Sequence, residues 1–118
     1  MGRIQGTRVL SEEISAKLRE NMVRVVEETS GKLTRINGIS IGGKTGTAEK
    51  RVHGMIDKKR NVTTFVGIFP AEAPQYIIMI NLDEPQAVAE SYGWRTASLN
   101  SVPTARKILD GILPLLFK

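Results

Sequence analysis

Two apolar runs constrain the fold of this chain more than any other feature. Residues 62–69 (Val-Thr-Thr-Phe-Val-Gly-Ile-Phe) and 76–82 (Tyr-Ile-Ile-Met-Ile-Asn-Leu) are built from the β-branched and aromatic residues that suit a pleated, half-buried surface. Only Pro70-Ala71-Glu72-Ala73-Pro74-Gln75 joins them. A parallel crossover needs about a dozen residues or more, so the two runs are neighbouring antiparallel strands. A third extended segment precedes them at 40–49, Ser-Ile-Gly-Gly-Lys-Thr-Gly-Thr-Ala-Glu, whose glycines and threonines oppose a helix. Residues 33–41 read as an extended approach to it, and residues 50–60 as a charged loop after it.

A helix is expected on either side of these strands. Ser11 is an N-cap, with Glu12 and Glu13 in the first turn opposing the positive end of the helix dipole. Ile14, Leu18, Met22 and Val25 then recur on one face of a helix over 11–29, which Thr29-Ser30-Gly31 ends. Pro103 opens a final helix carrying Ala105, Ile108, Leu109 and Ile112 on one face. Two amphipathic helices need an apolar sheet face to cover. The fold class is therefore α+β: an N-terminal amphipathic helix, a three-stranded antiparallel meander, and a C-terminal helix packed on the sheet. By length, residues 1–118 are a single domain or a piece of one, with 1–9 as a tail.

Composition narrows the function classes. With 41% apolar and 25% charged residues the chain is globular in kind, and no Cys is available for a disulfide, a thiol nucleophile or a cysteine-type zinc site. The formal net charge of +5 favours anionic partners in general. No apolar stretch approaches the ~20 residues of a spanning helix.

The run from Gly38 through Gly43 and Lys44 to Thr45 satisfies the phosphate-loop pattern G-x-x-x-x-G-K-[ST], and 77–84 looks like an apolar strand ending in Asp-Glu. That reading, a nucleotide hydrolase fragment, requires a buried strand before the glycines and a helix beginning at Lys44-Thr45. Lys32, Thr34 and Arg35 suit no buried strand, and Gly46-Thr47-Ala48 is a poor first turn. Read as a strand instead, the segment places Lys44 and Gly46 on one face and Thr45 and Thr47 on the other.

The wider text carries a resemblance. It comprises Gly42-Gly43-Lys44-Thr45-Gly46-Thr47-Ala48-Glu49-Lys50, then Thr64-Phe65-Val66-Gly67-Ile68-Phe69-Pro70-Ala71, Pro74-Gln75-Tyr76, Asp83-Glu84-Pro85 and Tyr92-Gly93. In order and spacing this resembles the C-terminal part of the transpeptidase domain of class B, division-type penicillin-binding proteins. The resemblance implies a partial penicillin-binding fold whose K-T-G strand lines the active-site cleft. It implies a parent D,D-transpeptidase that cross-links peptidoglycan stem peptides by serine acyl transfer and is acylated by β-lactams. Lys44 would keep the cleft electropositive and face the serine of an S-x-N element. Thr45 and Thr47 would hydrogen-bond the carboxylate of the donor peptide or β-lactam, and the Thr47 backbone N–H would form half of an oxyanion hole. Gly46 would admit the substrate backbone. The parent would sit on the periplasmic side of the inner membrane, with its anchor outside this chain and division-complex proteins as partners.

The pattern departs from the family in one respect. None of Ser11, Ser15, Ser30, Ser40, Ser91, Ser98 and Ser101 has a Lys three residues later, so the activated nucleophile of S-x-x-K is missing and the piece alone is expected to be inactive. Ser98-Leu99-Asn100 spells S-x-N but follows the K-T-G strand instead of preceding it, and is read as chance. His53 reads as an exposed loop residue, Lys58-Lys59-Arg60 as a solvated surface, and Asp83-Glu84 as a strand-end turn. Trp94 packs in the core or at the cleft rim. No metal, cofactor or nucleic acid is expected. A noncatalytic interaction module is the remaining alternative, and an exposed edge at 76–82 is expected to promote self-association.

Overall fold

The computed structural model describes residues 5–28, 36, 38–85 and 100–117. Its elements run α1 (Glu12–Glu28), β1 (Gly42–Val52), β2 (Met55–Phe69), β3 (Tyr76–Asp83) and α2 (Ser101–Leu116). The strands form one antiparallel sheet in the order β1-β2-β3, which is the expected meander between two helices.

Helix α1 starts where its cap chemistry says. The Ser11 hydroxyl accepts from Ile14 N–H at 3.2 Å, and the Ser11 carbonyl accepts from Ser15 N–H at 2.9 Å. The expected stop at 29–31 lies outside the described residues. Only the C-terminal half of the helix meets the core: Val26 is buried and Met22, Val23 and Val25 are half-buried. Ile14 and Leu18, expected to be inward, stay 44% and 48% exposed. Their periodicity was read correctly, but the described sheet covers only the later turns.

The two faces of the sheet are assigned by the glycine pair that opens β1. A Cβ on Gly42 would meet Met22 of α1, whereas one on Gly43 would meet the ring of Phe65. Phe65 packs with Val102 and Ala105 of α2. Successive strand residues point to opposite faces, so α1 and α2 cover opposite faces of a three-layer sandwich. A second core of Val26, Ile41, Phe69, Leu109 and Leu113 ties both helices together where β1 begins.

Residues 50–60 are not a loop. Lys50, Arg51 and Val52 continue β1 and pair with Asp57, Ile56 and Met55, closing a hairpin on His53-Gly54. Both turn residues have positive φ, 53° and 79°, which a two-residue hairpin turn of the right twist requires. The register shifts between Glu49 and Lys50, leaving residues 58–60 without partners in that ladder. Arg51 and Arg60, among the charges that suggested a loop, are exposed on this ribbon, which needs no apolar alternation.

Helix α2 begins at Ser101, two residues before Pro103. Asn100 caps it, accepting from Ser101 N–H at 2.6 Å, and Pro103 falls in the first turn, where its missing N–H costs nothing. The inward face is Ser101, Val102, Ala105, Leu109 and Leu113. Ile108, expected inward, is 39% exposed, because the buried stripe runs through Val102, Ala105, Leu109 and Leu113 and leaves Ile108 at its edge.

Candidate functional site

Lys44, Thr45, Gly46 and Thr47 lie together in the middle of β1. They oppose Val66, Phe65, Thr64 and Thr63 of β2 in turn. Lys44 and Gly46 thus share the α1 face with Val66 and Thr64, while Thr45 and Thr47 share the α2 face with Phe65 and Thr63. On its other side β1 has no strand partner among the described residues. Lys44, Gly46 and Thr47 are exposed and Thr45 is half-buried. The Lys44 ammonium donates to the Thr45 carbonyl at 2.6 Å, which folds the side chain along its own strand.

The glycines divide the labour along this strand. Gly43 is closed, since a Cβ there would stand 2.6 Å from Phe65 Cε2. Gly46 is open, with nothing within 4 Å of an added Cβ. The first makes room for the core and the second leaves bare backbone at the surface. The three glycines of 40–49 read together as suiting a closely approached strand, with substrate access given to Gly46; that Gly43 is filled depends on where the Phe65 ring falls, which no local pattern encodes.

Lys50, which the sequence placed in a loop, is a structural tie. Its ammonium lies 2.5 Å from Asp83 Oδ1 and 3.3 Å from Glu84 Oε1, joining the far end of β1 to the end of β3. The hydrogen bond it donates to Asp83 holds the Lys50 ammonium above the usual lysine range, opposed by desolvation and helped by Glu84. Asp83-Glu84 is the strand-end turn expected, with Glu84 at φ 51°. The Glu72 carboxylate accepts from the Ser40 hydroxyl, which holds it below the usual glutamate range. That contact joins the residues before β1 to the β2–β3 connection, and Ala71 N–H donates to the Ser40 carbonyl at 2.9 Å beside it.

The remaining candidates separate from the site. Asn100 uses its side-chain carbonyl on Ser101 N–H and on the Thr63 hydroxyl, 2.5 Å away. It is a helix cap, and Ser98 lies outside the described residues, as does Trp94. His53 is exposed at the hairpin turn. Arg60 reaches Asp57 at 3.7 Å. The phosphate-loop reading needs a helix at Lys44-Thr45, and the structure has a strand there. Among the described residues no group of three or more His, Cys, Asp or Glu gathers, and no helix is long and apolar enough to cross a membrane.

The chain is a three-layer α+β sandwich whose Gly43-Lys44-Thr45-Gly46 strand has no further strand partner among the described residues. Residues 3–110 match the model of the penicillin binding protein transpeptidase domain, and the chain belongs to that family. It is 37% identical to a probable peptidoglycan D,D-transpeptidase FtsI of Caulobacter vibrioides, over 97% of this chain and 21% of that protein. It is 36% identical to a probable peptidoglycan D,D-transpeptidase PenA of Neisseria gonorrhoeae, over 95% of this chain and 19% of that one. The chain therefore spans about a fifth of the length of these relatives. Among solved structures, the transpeptidase domain of Burkholderia pseudomallei penicillin-binding protein 3 superposes with a TM-score of 0.78 at 28% identity, over 95% of this chain and 33% of that one. Penicillin-binding protein 3 of Mycobacterium tuberculosis, solved with ampicillin, gives 0.79 at 25% identity, over 98% and 27%. The chain is a partial penicillin-binding transpeptidase fold.

Proposed function

We propose that this chain forms the substrate-side wall of a peptidoglycan D,D-transpeptidase that cross-links stem peptides through a serine acyl-enzyme. The observation that carries the proposal is the exposed Lys44-Thr45-Gly46-Thr47 strand at the open edge of a sheet in this family's own fold. Lys44 supplies positive potential to the cleft, which raises the local concentration of a carboxylate substrate. The Thr45 and Thr47 hydroxyls hydrogen-bond that carboxylate, and the bare backbone at Gly46 lets the peptide or β-lactam lie against the strand. The Thr47 N–H donates to the carbonyl oxygen as negative charge grows on it in the transition state, an interaction stronger there than in the ground state. The nucleophile comes from the S-x-x-K element of the parent, and these residues do not themselves form the acyl bond. The relative solved with ampicillin supports β-lactams as ligands. On this reading the parent acts on peptidoglycan on the outer side of the inner membrane, with division proteins as partners.

The test is a chimera in which residues 10–118 replace the matching segment of the Caulobacter FtsI relative. A reporter penicillin should acylate the chimera, and Lys44→Ala should lower the acylation rate at least ~10-fold, the loss of about one charge-assisted contact. The isolated chain should keep its intact mass under the same treatment. An acylated isolated chain, or a chimera indifferent to Lys44→Ala, would overturn the assignment.

A further inference from the structure

The hydrogen-bond phase of the sheet shows which way the backbone of the site strand turns. Glu84 N–H donates to Asn61 C=O at 2.8 Å, so Asn61 turns its backbone groups toward the β3 side. These directions alternate along an antiparallel ladder, and the register of β2 is unbroken from Asn61 to Phe69. Thr63 and Phe65 therefore turn toward β3, while Val62, Thr64 and Val66 turn toward β1 and bond with Ala48, Gly46 and Lys44. Thr45 and Thr47 lie in the non-hydrogen-bonded pairs between them, and their N–H and C=O groups point away from β2. The Lys44 ammonium on the Thr45 carbonyl agrees with that phase.

In such a pair the Cα atoms approach to ~4.5 Å and the side chains are at their closest. Thr63 is the partner of Thr47 there, and it is fully buried. Its hydroxyl donates to Asn100 Oδ1 at 2.5 Å, and the same oxygen accepts from Ser101 N–H at 2.6 Å. The Asn100 main-chain carbonyl accepts from Thr104 N–H at 3.1 Å and from the Thr104 hydroxyl at 2.8 Å. The first turn of α2 is thus fastened to the residue opposite Thr47. The Thr63 hydroxyl is one carbon removed from Cα, so this bond fixes the main chain of β2 relative to the helix. The neighbouring Gly46 offers no side chain to brace the site strand, and nothing lies within 4 Å of an added Cβ. Helix α2 itself packs on β2 and β3, so its hold on the site strand passes through Thr63 and Phe65.

We propose that Asn100 and Thr63 are positioning residues for the site strand: they fix the height of Thr47 above α2 and so aim its N–H. The role rests on the reading of Thr47 as the oxyanion donor. A donor of that kind works only where it meets the position the charged oxygen will occupy, and a misplacement of ~1 Å can cost ~100-fold in rate. Neither residue touches substrate. Asn100, a helix cap in the fold, serves the site from behind through the Thr63 hydroxyl.

In the chimera, Thr63→Val removes the tie and keeps the branched shape. The limiting rate of acylation by the reporter penicillin should then fall at least ~10-fold while the half-saturation concentration stays within ~2-fold, since the donor acts in the transition state. Asn100→Ser keeps a helix cap but is too short to reach Thr63, and should do the same. Thr63→Ser keeps the hydroxyl and should recover most of the rate. Leu113→Ala, buried at the far end of α2, should cost stability and leave the rate per folded molecule unchanged. In the isolated chain, the amide resonance of Thr47 should move in Thr63→Val and return in Thr63→Ser. Limiting rates unchanged in Thr63→Val and Asn100→Ser, or a loss confined to the fraction of molecules acylated, would overturn the role. An unmoved Thr47 amide would overturn the tie itself, whatever the chimera does. Indifference to Lys44→Ala would instead overturn the transpeptidase reading and the role with it, leaving the amide shift to report the tie alone.

Discussion

Alanine at Gly43 and alanine at Gly46 should change stability in opposite directions, although the two glycines are three residues apart on one strand. At Gly43 the new Cβ would stand 2.6 Å from Phe65 Cε2, 2.7 Å from Cζ and 3.2 Å from the Val66 carbonyl oxygen. The ring has nowhere to retreat. Phe65, Val102 and Ala105 are all 0% exposed and in contact, and Phe65 Cε1 already lies 3.1 Å from where a Cβ on Gly67 would sit. Overpacking of this kind costs ~1–3 kcal/mol. At Gly46 the added methyl meets nothing within 4 Å, and the loss of glycine freedom in the unfolded chain should stabilise by ~0.4–1 kcal/mol. The expected gap between the variants is therefore ~1.5–4 kcal/mol. Urea unfolding at one fixed protein concentration measures it, with unchanged m-values showing that the transition is comparable. Phe65→Leu should relieve most of the Gly43→Ala penalty, so the double-mutant cycle should show a coupling above ~1 kcal/mol. A Gly43→Ala variant within ~0.5 kcal/mol of the original, or a Gly46→Ala variant destabilised as much, would refute the assignment of packing to one glycine and open surface to the other.

Asn100→Ala removes the cap of α2 and strands the fully buried Thr63 hydroxyl, so unfolding should become easier by ~1–3 kcal/mol, read by the same denaturation. Glu72, held low by Ser40, contributes stability that is complete above the unfolded glutamate range near 4.5 and is lost as pH falls through its lower folded value. A carboxyl titration by NMR should show Glu72 returning toward the ordinary value in Ser40→Ala, and an unshifted titration would contradict the contact. Lys50, held high, has the opposite sign: its contribution is complete below 10.5 and is lost as pH rises through the folded value. Lys50→Met should speed amide exchange at the end of β3 and in the 51–56 hairpin while leaving the Phe65 amide protected.

Much of this molecule was legible in the sequence because the signals are local. Strand-forming residues at 62–69 and 76–82 with a short link admit only an antiparallel pair, and Ser11 with its glutamates marks the start of α1. The Gly-Lys-Thr-Gly-Thr text was read as a strand, with its side chains sorted correctly onto two faces. The hairpin at 50–60 was missed because His53-Gly54 is an uncommon turn pair and a solvated ribbon shows no apolar alternation. The earlier start of α2 was missed because the Asn100 side chain is held by Thr63, 37 residues away, and the outward turn of Ile108 because the position of the sheet decides which stripe is covered.

The sequence by itself determined the order of elements, the antiparallel pairing and the identity of the strand that carries Lys44, Thr45 and Thr47, since each follows from residue type and spacing along the chain. Tertiary structure decided which glycine is filled and which is open, which turns of the helices are covered, and how Lys50 ties two strand ends together. Those outcomes depend on atoms brought close from distant positions, and close packing of a single buried ring settles them in a way that no local pattern records.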